Sequence, residues 1–339
     1  MYHFININGE CTLPNPEQII LQALLGNKFL IQVDSSVLLD LVGIVNKWNL
    51  PENNIEKAIE FIEYQKVNKI DVSGALSVQE LALDRVSKKY NEEIYNDYAN
   101  KFLFALELSK EQIIEKDFCY NEKFSNQKHS LPPSEYADIR VEMCNRSYVA
   151  LLKIRQLAFK NGVSEKNALK NIEEFLYWMK NELGLIMAVE LQLAIYVFGG
   201  INDFTEMIWL KKDKSKIFQK LWGTAMDISF FRFLQMMEST KKELGIRDIS
   251  IFATKDRKQF RLIKEIQTIS VVKNLPHNPI IPQVELNILN TFFSKKEDEF
   301  KRITDKYSGS INKNDFIFRT DFMISKIEEL ERINENLSW

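Results

Sequence analysis

The chain has 339 residues, of which 45% are apolar and 27% are charged, a balance typical of a globular protein with a sizeable core. Its 45 Lys and Arg residues nearly balance 47 Asp and Glu residues, so the net charge of −2 argues against a globally basic nucleic-acid-binding protein. Three cysteines and three histidines are scattered without a CxxC pair or a His cluster, which argues against a disulfide framework or a zinc module. Any metal chemistry therefore depends on carboxylates.

The N-terminal sequence MYHFININGECTLPNPEQ lacks the basic and apolar regions of a secretory signal. The most apolar stretch, residues 183–200, contains Glu190 and is shorter than the about 20 residues that a membrane span needs. We therefore expect a buried helix here, a cytoplasmic protein and no membrane partner. Glu190 has three interpretations: a buried hydrogen-bonded acid, a partner for Arg155, or an extra ligand of a functional site.

The first 90 residues alternate between strand and helix patterns. The apolar run FLIQV (29–33) predicts a buried strand, and helical spacing follows at 35–48 and again at 52–66 after Pro51. A second strand is predicted at 69–74, followed by another helix at 75–90. This alternation is typical of an α/β layer with a parallel sheet.

Strand patterns nearly vanish between residues 91 and 221, where four to six helices are predicted. The α/β pattern then returns, with a helix at 222–245 and strands at 249–253 and 268–272, and two helices end the chain. We expect an α/β core with a central, mainly parallel sheet, a large all-α insertion and C-terminal helices. The predicted boundaries are 1–90 with 222–275 for the discontinuous core, 91–221 for the insertion and 276–339 for the extension.

Acidic residues follow two of the predicted strands. Asp34 directly follows the strand 29–33, and Asp256 comes three residues after a later strand. Because ligands bind at the carboxyl ends of strands in open parallel sheets, both side chains can share a cleft. Glu80 and Asp227 interrupt apolar helical segments, where a carboxylate is costly unless it is paired or bound to a metal. Four such acids are suited to Mg²⁺ or Mn²⁺ and to phosphodiester hydrolysis.

Each acid also has a purely structural interpretation. Asp34 and Asp256 are equally suited to cap a helix or to occupy a turn after a strand. Glu80 can face solvent, and Asp227 can be a polar break in an aromatic helix. The pattern alone does not decide between these roles and metal binding.

Neighbouring residues leave further alternatives open. Glu243 or Asp248 could take the place of Asp227 as the helix acid of the site. Ser35 or Ser36 is the predicted N-cap of the helix after the first strand. Asp40, one turn into that helix, is expected to be exposed, and the alternative is that this first-helix acid joins the site.

Basic residues surround Asp256 in the segment DISIFATKDRKQF. A run of charges is often only a solvated surface, but here it flanks a candidate catalytic acid, where cations can bind substrate phosphates. The predicted substrate-binding residues are Thr254, Lys255, Arg257, Lys258 and Arg261.

Four segments together resemble the PIN-domain nuclease superfamily: FLIQVDSSVLLDLV, ALSVQELALD, GTAMDISFFRFL and ISIFATKDRKQF. The resemblance covers residues 29–90 and 222–272 and implies a three-layer PIN-like core. It implies that Asp34, Glu80, Asp227 and Asp256 are the four catalytic and metal-binding acids, that Thr254 is the small hydroxyl residue before the last acid, and that Mg²⁺ or Mn²⁺ is the cofactor. The insertion of about 130 helical residues departs from the usual compact domain.

The resulting hypothesis is a metal-dependent nuclease acting on RNA or single-stranded DNA, with RNA as the expected substrate. The family also suggests a toxin or a phage-defence effector, with a protein partner or inhibitor on the helical insertion. The alternative is a catalytically inactive PIN-like scaffold that binds protein or nucleic acid through that insertion. The sequence does not determine the oligomeric state.

Overall fold

The computed structural model describes most of the chain. The residues outside the described part are 1, 7–9, 85, 86, 88, 121, 211–215, 244, 246, 266, 267, 273–280, 285, 308–319 and 338–339. The described residues fall into two units. The first comprises those within Met1–Val141 and Phe230–Lys264, and the second comprises those within Glu142–Ser229, Glu265–Val272 and Ile281–Trp339. The sequence predicts boundaries near residues 91 and 222 instead.

A four-stranded mixed sheet organises the first unit. Its strands lie in the order β1 (His3–Asn6), β4 (Asp248–Thr254), β2 (Lys28–Val33) and β3 (Asp71–Ser73). Strand β2 is parallel to both neighbours, whereas β1 is antiparallel to β4. The predicted α/β class with a mainly parallel sheet is confirmed, and the finer PIN-like arrangement stays a prediction.

Helix α2 (Ser35–Val45) begins immediately after β2, and this junction places the first acid. Asp34 keeps an extended backbone (φ −79°, ψ 173°), and its side chain accepts a hydrogen bond from the Val37 N–H at 2.9 Å. Asp34 is therefore the N-cap, so the capping interpretation of this residue is correct. Ser35 and Ser36, the other candidates for the cap, already lie in the first helical turn.

The core of the first unit surrounds α2. Leu38 and Leu41 of this helix are fully buried beside Val33, together with Phe61 of α3 (Glu52–Asn68). Burying an aliphatic or aromatic side chain of this size contributes about 1.5–3 kcal/mol. Phe102 belongs to the same core, so α5 (Glu92–Glu107) packs with the sheet unit.

The other helices of the first unit are short or peripheral. They are α1 (Pro16–Leu24), α4 (Ala75–Ala82), α6 (Lys110–Glu115), α7 (Glu122–Ser125) and α13 (Arg257–Glu265). Helix α4 ends at Ala82, earlier than the sequence predicts. The long helices α8 (Ser134–Asn161) and α12 (Ile217–Glu243) each contain residues of both units.

The second unit is mainly helical. Its helices are α9 (Ala168–Tyr177), α10 (Ala188–Phe198), α11 (Asn202–Thr205), α14 (Glu297–Tyr307) and α15 (Thr320–Glu335), with 3-10 turns at Glu165–Asn167 and Phe292–Lys296 and a π-helical segment at Trp178–Leu183. The predicted strand 268–272 exists as β5 (Thr268–Val272). It pairs with β6 (Ile281–Val284) in a separate two-stranded sheet and not with the four-stranded sheet. Among the described residues, every helix is too short or too polar to cross a membrane.

Candidate active site

Asp34 lies at the carboxyl end of β2, where β4 also ends. Its N–H donates to the Ala253 carbonyl at 2.9 Å, which extends the pairing of the two parallel strands by one residue. The side chain is almost completely buried, with 3% exposure. A carboxylate at this depth needs internal hydrogen-bond donors, and Asp34 has three of them in the Val37 N–H, the Ser36 hydroxyl and the Thr254 hydroxyl.

Two hydroxyl groups connect Asp34 to the turn between β4 and α13. Thr254 Oγ1 donates to Asp34 Oδ2 at 2.5 Å and accepts from the Asp256 N–H at 2.9 Å. In parallel, Ser36 Oγ donates to Asp34 Oδ1 at 2.7 Å and accepts from the Lys255 N–H at 3.1 Å. Each oxygen of Asp34 therefore reaches one backbone N–H of the Thr-Lys-Asp step through one hydroxyl. This arrangement fixes the turn against the end of β2.

The Thr254 hydroxyl also lies 3.0 Å from Gln259 Oε1. A hydroxyl has only one proton to donate, and Thr254 gives it to Asp34. The amide group of Gln259 must then be turned so that its nitrogen donates to Thr254. Gln259 is buried on α13, so this bond holds the first turn of that helix against the strand end.

Helix α4 brings Glu80 to the same end of β2. Ser77 and Glu80 lie one turn apart on α4, which puts them on one face of the helix. The Ser77 hydroxyl donates to the Val33 carbonyl at 2.5 Å, and Glu80 Oε1 accepts from the Ser35 hydroxyl at 3.3 Å. Both contacts anchor α4 to the residues that flank Asp34, so Glu80 faces the β2–α2 junction and not open solvent.

Asp256 is exposed and acts as the N-cap of α13. Its Oδ1 accepts from the Lys258 N–H at 2.7 Å and from the Gln259 N–H at 3.0 Å. The capping interpretation of this residue is therefore correct. Capping occupies Oδ1 and leaves Oδ2 without a hydrogen bond from the described residues, so it does not exclude a second role.

Electrostatics link the three acids of the first unit. Burial raises the pKa of Asp34, and the charge of Asp256 raises it further, while the bonds from Thr254, Val37 and Ser36 act in the opposite direction. Burial also raises the pKa of Glu80 to about 7, with a contribution from the negative charge of Asp34. The like charges therefore interact, and Glu80 is ionised only in part at neutral pH.

Arg140, which no sequence pattern singles out, opposes this repulsion at Glu80. Arg140 is buried in α8, where its Nη1 donates to the Leu76 carbonyl at 3.1 Å. Its charge lowers the pKa of Glu80. A single arginine within a long helix has no pattern that distinguishes this role from a surface charge.

Asp40 is buried, so the expectation that it is exposed is wrong. Its Oδ1 accepts from Lys255 Nζ at 2.7 Å and from Asn54 Nδ2 at 3.1 Å, and its Oδ2 accepts from the Tyr2 hydroxyl at 3.3 Å. The prediction failed because the first strand, β1, was not recognised and no partners were available on that side of α2. Burial, followed by the charge of Asp40 and its hydrogen bond, raises the pKa of Tyr2.

The predicted substrate-binding residues have different environments. Thr254 is fully buried, and the Lys255 ammonium group forms the ion pair with Asp40. Arg257 is exposed at the start of α13, whereas Lys258 and Arg261 are half-buried. Binding of substrate by these five residues stays a prediction.

Asp227 and Glu190 lie in the second unit. Asp227 is half-buried on α12, three residues before the point at which the chain enters the first unit. Glu190 is fully buried on α10. The suggested partner of Glu190, Arg155, donates to Asn334 Oδ1 at 2.8 Å. The site described here therefore consists of first-unit residues.

His3 is a neighbour of the site that sequence reasoning missed. In the antiparallel pairing of β1 with β4, its Cα lies opposite that of Thr254. Its ring stacks on Phe260 of α13 with centroids 4.9 Å apart. The alternation of buried Tyr2 and Phe4 with His3 is the signal that could have identified β1.

The carboxylate oxygens of these acids are suited to a hard divalent cation, but the described residues do not supply a complete coordination shell. Asp34 Oδ2 accepts one hydrogen bond and retains capacity for a further contact. Oxygen-only donor sets with one or two direct carboxylates plus water are typical of Mg²⁺. Among the described residues, no group of three His, Cys, Asp or Glu side chains is arranged to hold a metal. The four-acid centre therefore stays a prediction.

No protein-family model matches the chain, and neither a curated protein nor a solved structure is significantly similar to it. The function proposed for the chain therefore depends on the geometry of these residues and on their order in the sequence.

Proposed function

We propose that the chain is a metal-dependent nuclease that hydrolyses phosphodiester bonds of RNA. Asp34, Glu80 and Asp256 are its first-unit acids, and Asp227 is the fourth. The proposal follows the PIN-like order of these residues in the sequence. A toxin or a phage-defence effector is the corresponding biological setting.

The observation that carries the proposal is the coupling of three acids at the carboxyl ends of β2 and β4. Asp34 reaches the Asp256 backbone through the Thr254 hydroxyl, and Glu80 contacts the residue next to Asp34. Burial, together with the charge of a neighbouring acid, raises the pKa of Asp34 and that of Glu80. Carboxylates perturbed in this way at one sheet edge are common in functional sites.

The residues that would hold Mg²⁺ or Mn²⁺ are those with an oxygen that remains open. Asp34 retains acceptor capacity on Oδ2, and Glu80 Oε2 and Asp256 Oδ2 accept no hydrogen bond from the described residues. A divalent cation, when bound, supplies activation of water and stabilisation of the leaving oxygen. The hydroxyls of Ser36 and Thr254 keep the Asp34 carboxylate in one orientation, which is the positioning that such chemistry requires.

The basic face of α13 supports a polyanionic substrate. Arg257, Arg261 and Lys264 recur at intervals of four and three residues and so share one face of the helix, opposite the buried Leu262 and Ile263. This basic face begins directly after Asp256. Phosphates bound along it would be next to the acids.

The decisive experiment measures cleavage of single-stranded RNA with Mg²⁺ or Mn²⁺ by the wild type and by Asp34→Asn, Glu80→Gln, Asp227→Asn and Asp256→Asn. We expect cleavage that requires the cation and a loss of at least about 100-fold in each variant, the scale of a removed catalytic group. Asp117→Asn, which alters an exposed acid on the turn after α6, is the matched control and should cleave like the wild type.

Circular dichroism and thermal unfolding establish that each variant is folded. RNA cleavage by Asp34→Asn at the wild-type rate would contradict the proposal, as would an absence of cleavage by the wild type with both metals and with RNA and single-stranded DNA. Retained activity in Asp227→Asn alone would remove that residue from the site and leave the first-unit acids in place.

A second candidate is a non-catalytic PIN-like scaffold, and the internal hydrogen bonds of Asp34 favour it. Both oxygens of Asp34 accept internal hydrogen bonds, and Asp256 caps α13, which is a sufficient structural reason for each acid. If the chain is a scaffold, Mn²⁺ should produce no heat of binding in calorimetry, and Asp34→Asn should change only the stability of the protein. The nuclease predicts Mn²⁺ binding that Asp34→Asn and Glu80→Gln both weaken.

A further inference from the structure

Two independent contacts place His3 at the edge of the site that contains Asp34 and Asp256. Its backbone pairs β1 with β4 opposite Thr254, two residues before Asp256. Its ring stacks on Phe260 with an interplanar angle of 22°, one turn beyond the N-terminal residue of α13. The imidazole is half-buried, so part of it remains accessible to solvent beside the Asp256 turn.

Lys57 approaches the same edge from α3. It precedes Phe61 by four residues and therefore lies on the same face of the helix. The Phe61 ring packs against Tyr2 and Phe4, the two neighbours of His3 on β1, with centroids 5.9 Å and 6.2 Å away. This packing directs the Lys57 side of α3 towards β1.

Lys57, Arg257 and Asp256 all interact electrostatically with His3. The pKa of His3 is lowered by burial first and then by the positive charges of Lys57 and Arg257, whereas Asp256 opposes the shift. The two cations therefore lie within electrostatic range of the same imidazole. At neutral pH the imidazole is mostly uncharged and can donate one N–H.

Positive charge is in excess at this edge. Among the described residues, neither Lys57 nor Arg257 forms an ion pair, and Asp256 is the one carboxylate that acts on His3 with them. Lys255 makes no contribution to the excess because it is paired with Asp40. Two cations and an N–H donor around one carboxylate are suited to an additional anion.

We propose that His3, Lys57 and Arg257 form a subsite for a backbone phosphate of the RNA strand, next to the scissile position at Asp34 and Asp256. The inference rests on the proposed nuclease function and extends substrate contacts from α13 to β1 and α3. A phosphate there would hold the strand one step away from the acids, so its contribution is to binding and register and not to bond cleavage.

The test measures binding of a fluorescein-labelled oligouridylate by fluorescence anisotropy, without divalent metal and at several salt concentrations. We expect Lys57→Gln and Arg257→Gln each to weaken binding several-fold and to reduce the slope of log affinity against log salt by about 0.7, the value for one contact to a single strand. Lys110→Gln, which alters an exposed lysine on α6, should change neither quantity.

His3→Gln keeps an N–H donor but removes the ring, so a weaker effect than that of Lys57→Gln is expected. Wild-type affinity and salt slope in Lys57→Gln would overturn the subsite, and so would a wild-type protein that does not bind the oligonucleotide at low salt. Cleavage is measured separately on the same variants. Normal cleavage with unchanged binding refutes only the subsite, whereas altered binding without any cleavage refutes only the nuclease.

Discussion

Thr254 Oγ1 donates a hydrogen bond of 2.5 Å to Asp34 Oδ2 between residues that are 220 positions apart in the chain. Since Thr254 ends β4 and Asp34 follows β2, this bond closes the edge at which the two parallel strands end. The same hydroxyl accepts the Asp256 N–H, so one side chain connects two of the candidate acids. The geometry of the site therefore depends on a residue that carries no charge.

Thr254→Val should destabilise the protein by about 1–3 kcal/mol, because Oδ2 of the buried Asp34 and the Asp256 N–H each lose their hydrogen bond to the Thr254 hydroxyl. Urea unfolding at pH 7 measures the difference. Thr254→Ser is the matched variant, since it keeps the hydroxyl and should retain most of the stability. If valine and serine have the same effect, the hydroxyl does not stabilise the turn.

Glu80 should make stability depend on pH. Its pKa is about 7 in the folded protein against an ordinary value of 4.5, so folding takes up a proton between these values. The unfolding free energy should therefore fall as the pH rises from about 4.5 to about 7, by at most about 3 kcal/mol at 1.36 kcal/mol per pKa unit. Urea unfolding at a series of pH values tests this for the wild type and for Glu80→Gln.

Glu80→Gln should flatten the profile over that interval, whereas Glu107→Gln, at an exposed position, should leave it unchanged. If Glu80 is a metal ligand, Mg²⁺ should stabilise the wild type more at pH 8 than at pH 5, because the cation favours the ionised carboxylate. Identical pH profiles for the wild type and Glu80→Gln would show that the carboxyl group is not perturbed in the folded protein.

The sequence predicted the strand that precedes Asp34 and the strand that precedes Asp256, because continuous apolar runs bounded by polar residues identify buried strands. It could not decide that Asp34 is itself the N-cap, since Ser35 and Ser36 compete for that position by type alone. The burial of Asp40 also escaped prediction. Its partners come from β1, α3 and the end of β4, and such long-range contacts leave no local pattern.

Lys255→Met should destabilise the protein by leaving Asp40 buried without its cation. Removing one partner of a buried pair typically costs about 3–5 kcal/mol, and the partial exposure of Lys255 lowers the expectation to about 1–3 kcal/mol. Chemical unfolding of Lys255→Met, Asp40→Asn and the double variant forms a double-mutant cycle. The double variant should be less unstable than the sum of the single variants, and simple additivity would mean that the pair does not interact.

Substitutions at Asp256 should separate capping from chemistry. Asparagine caps helices about as well as aspartate, whereas alanine loses the bonds to the Lys258 and Gln259 N–H groups at a cost of about 1 kcal/mol. Asp256→Asn should therefore keep nearly wild-type stability and lose RNA cleavage, and Asp256→Ala should lose both. Thermal unfolding and cleavage are measured on the same preparations. Full activity in the stable Asp256→Asn variant would restrict this residue to its capping role, because only the carboxylate charge differs between the two side chains at this position.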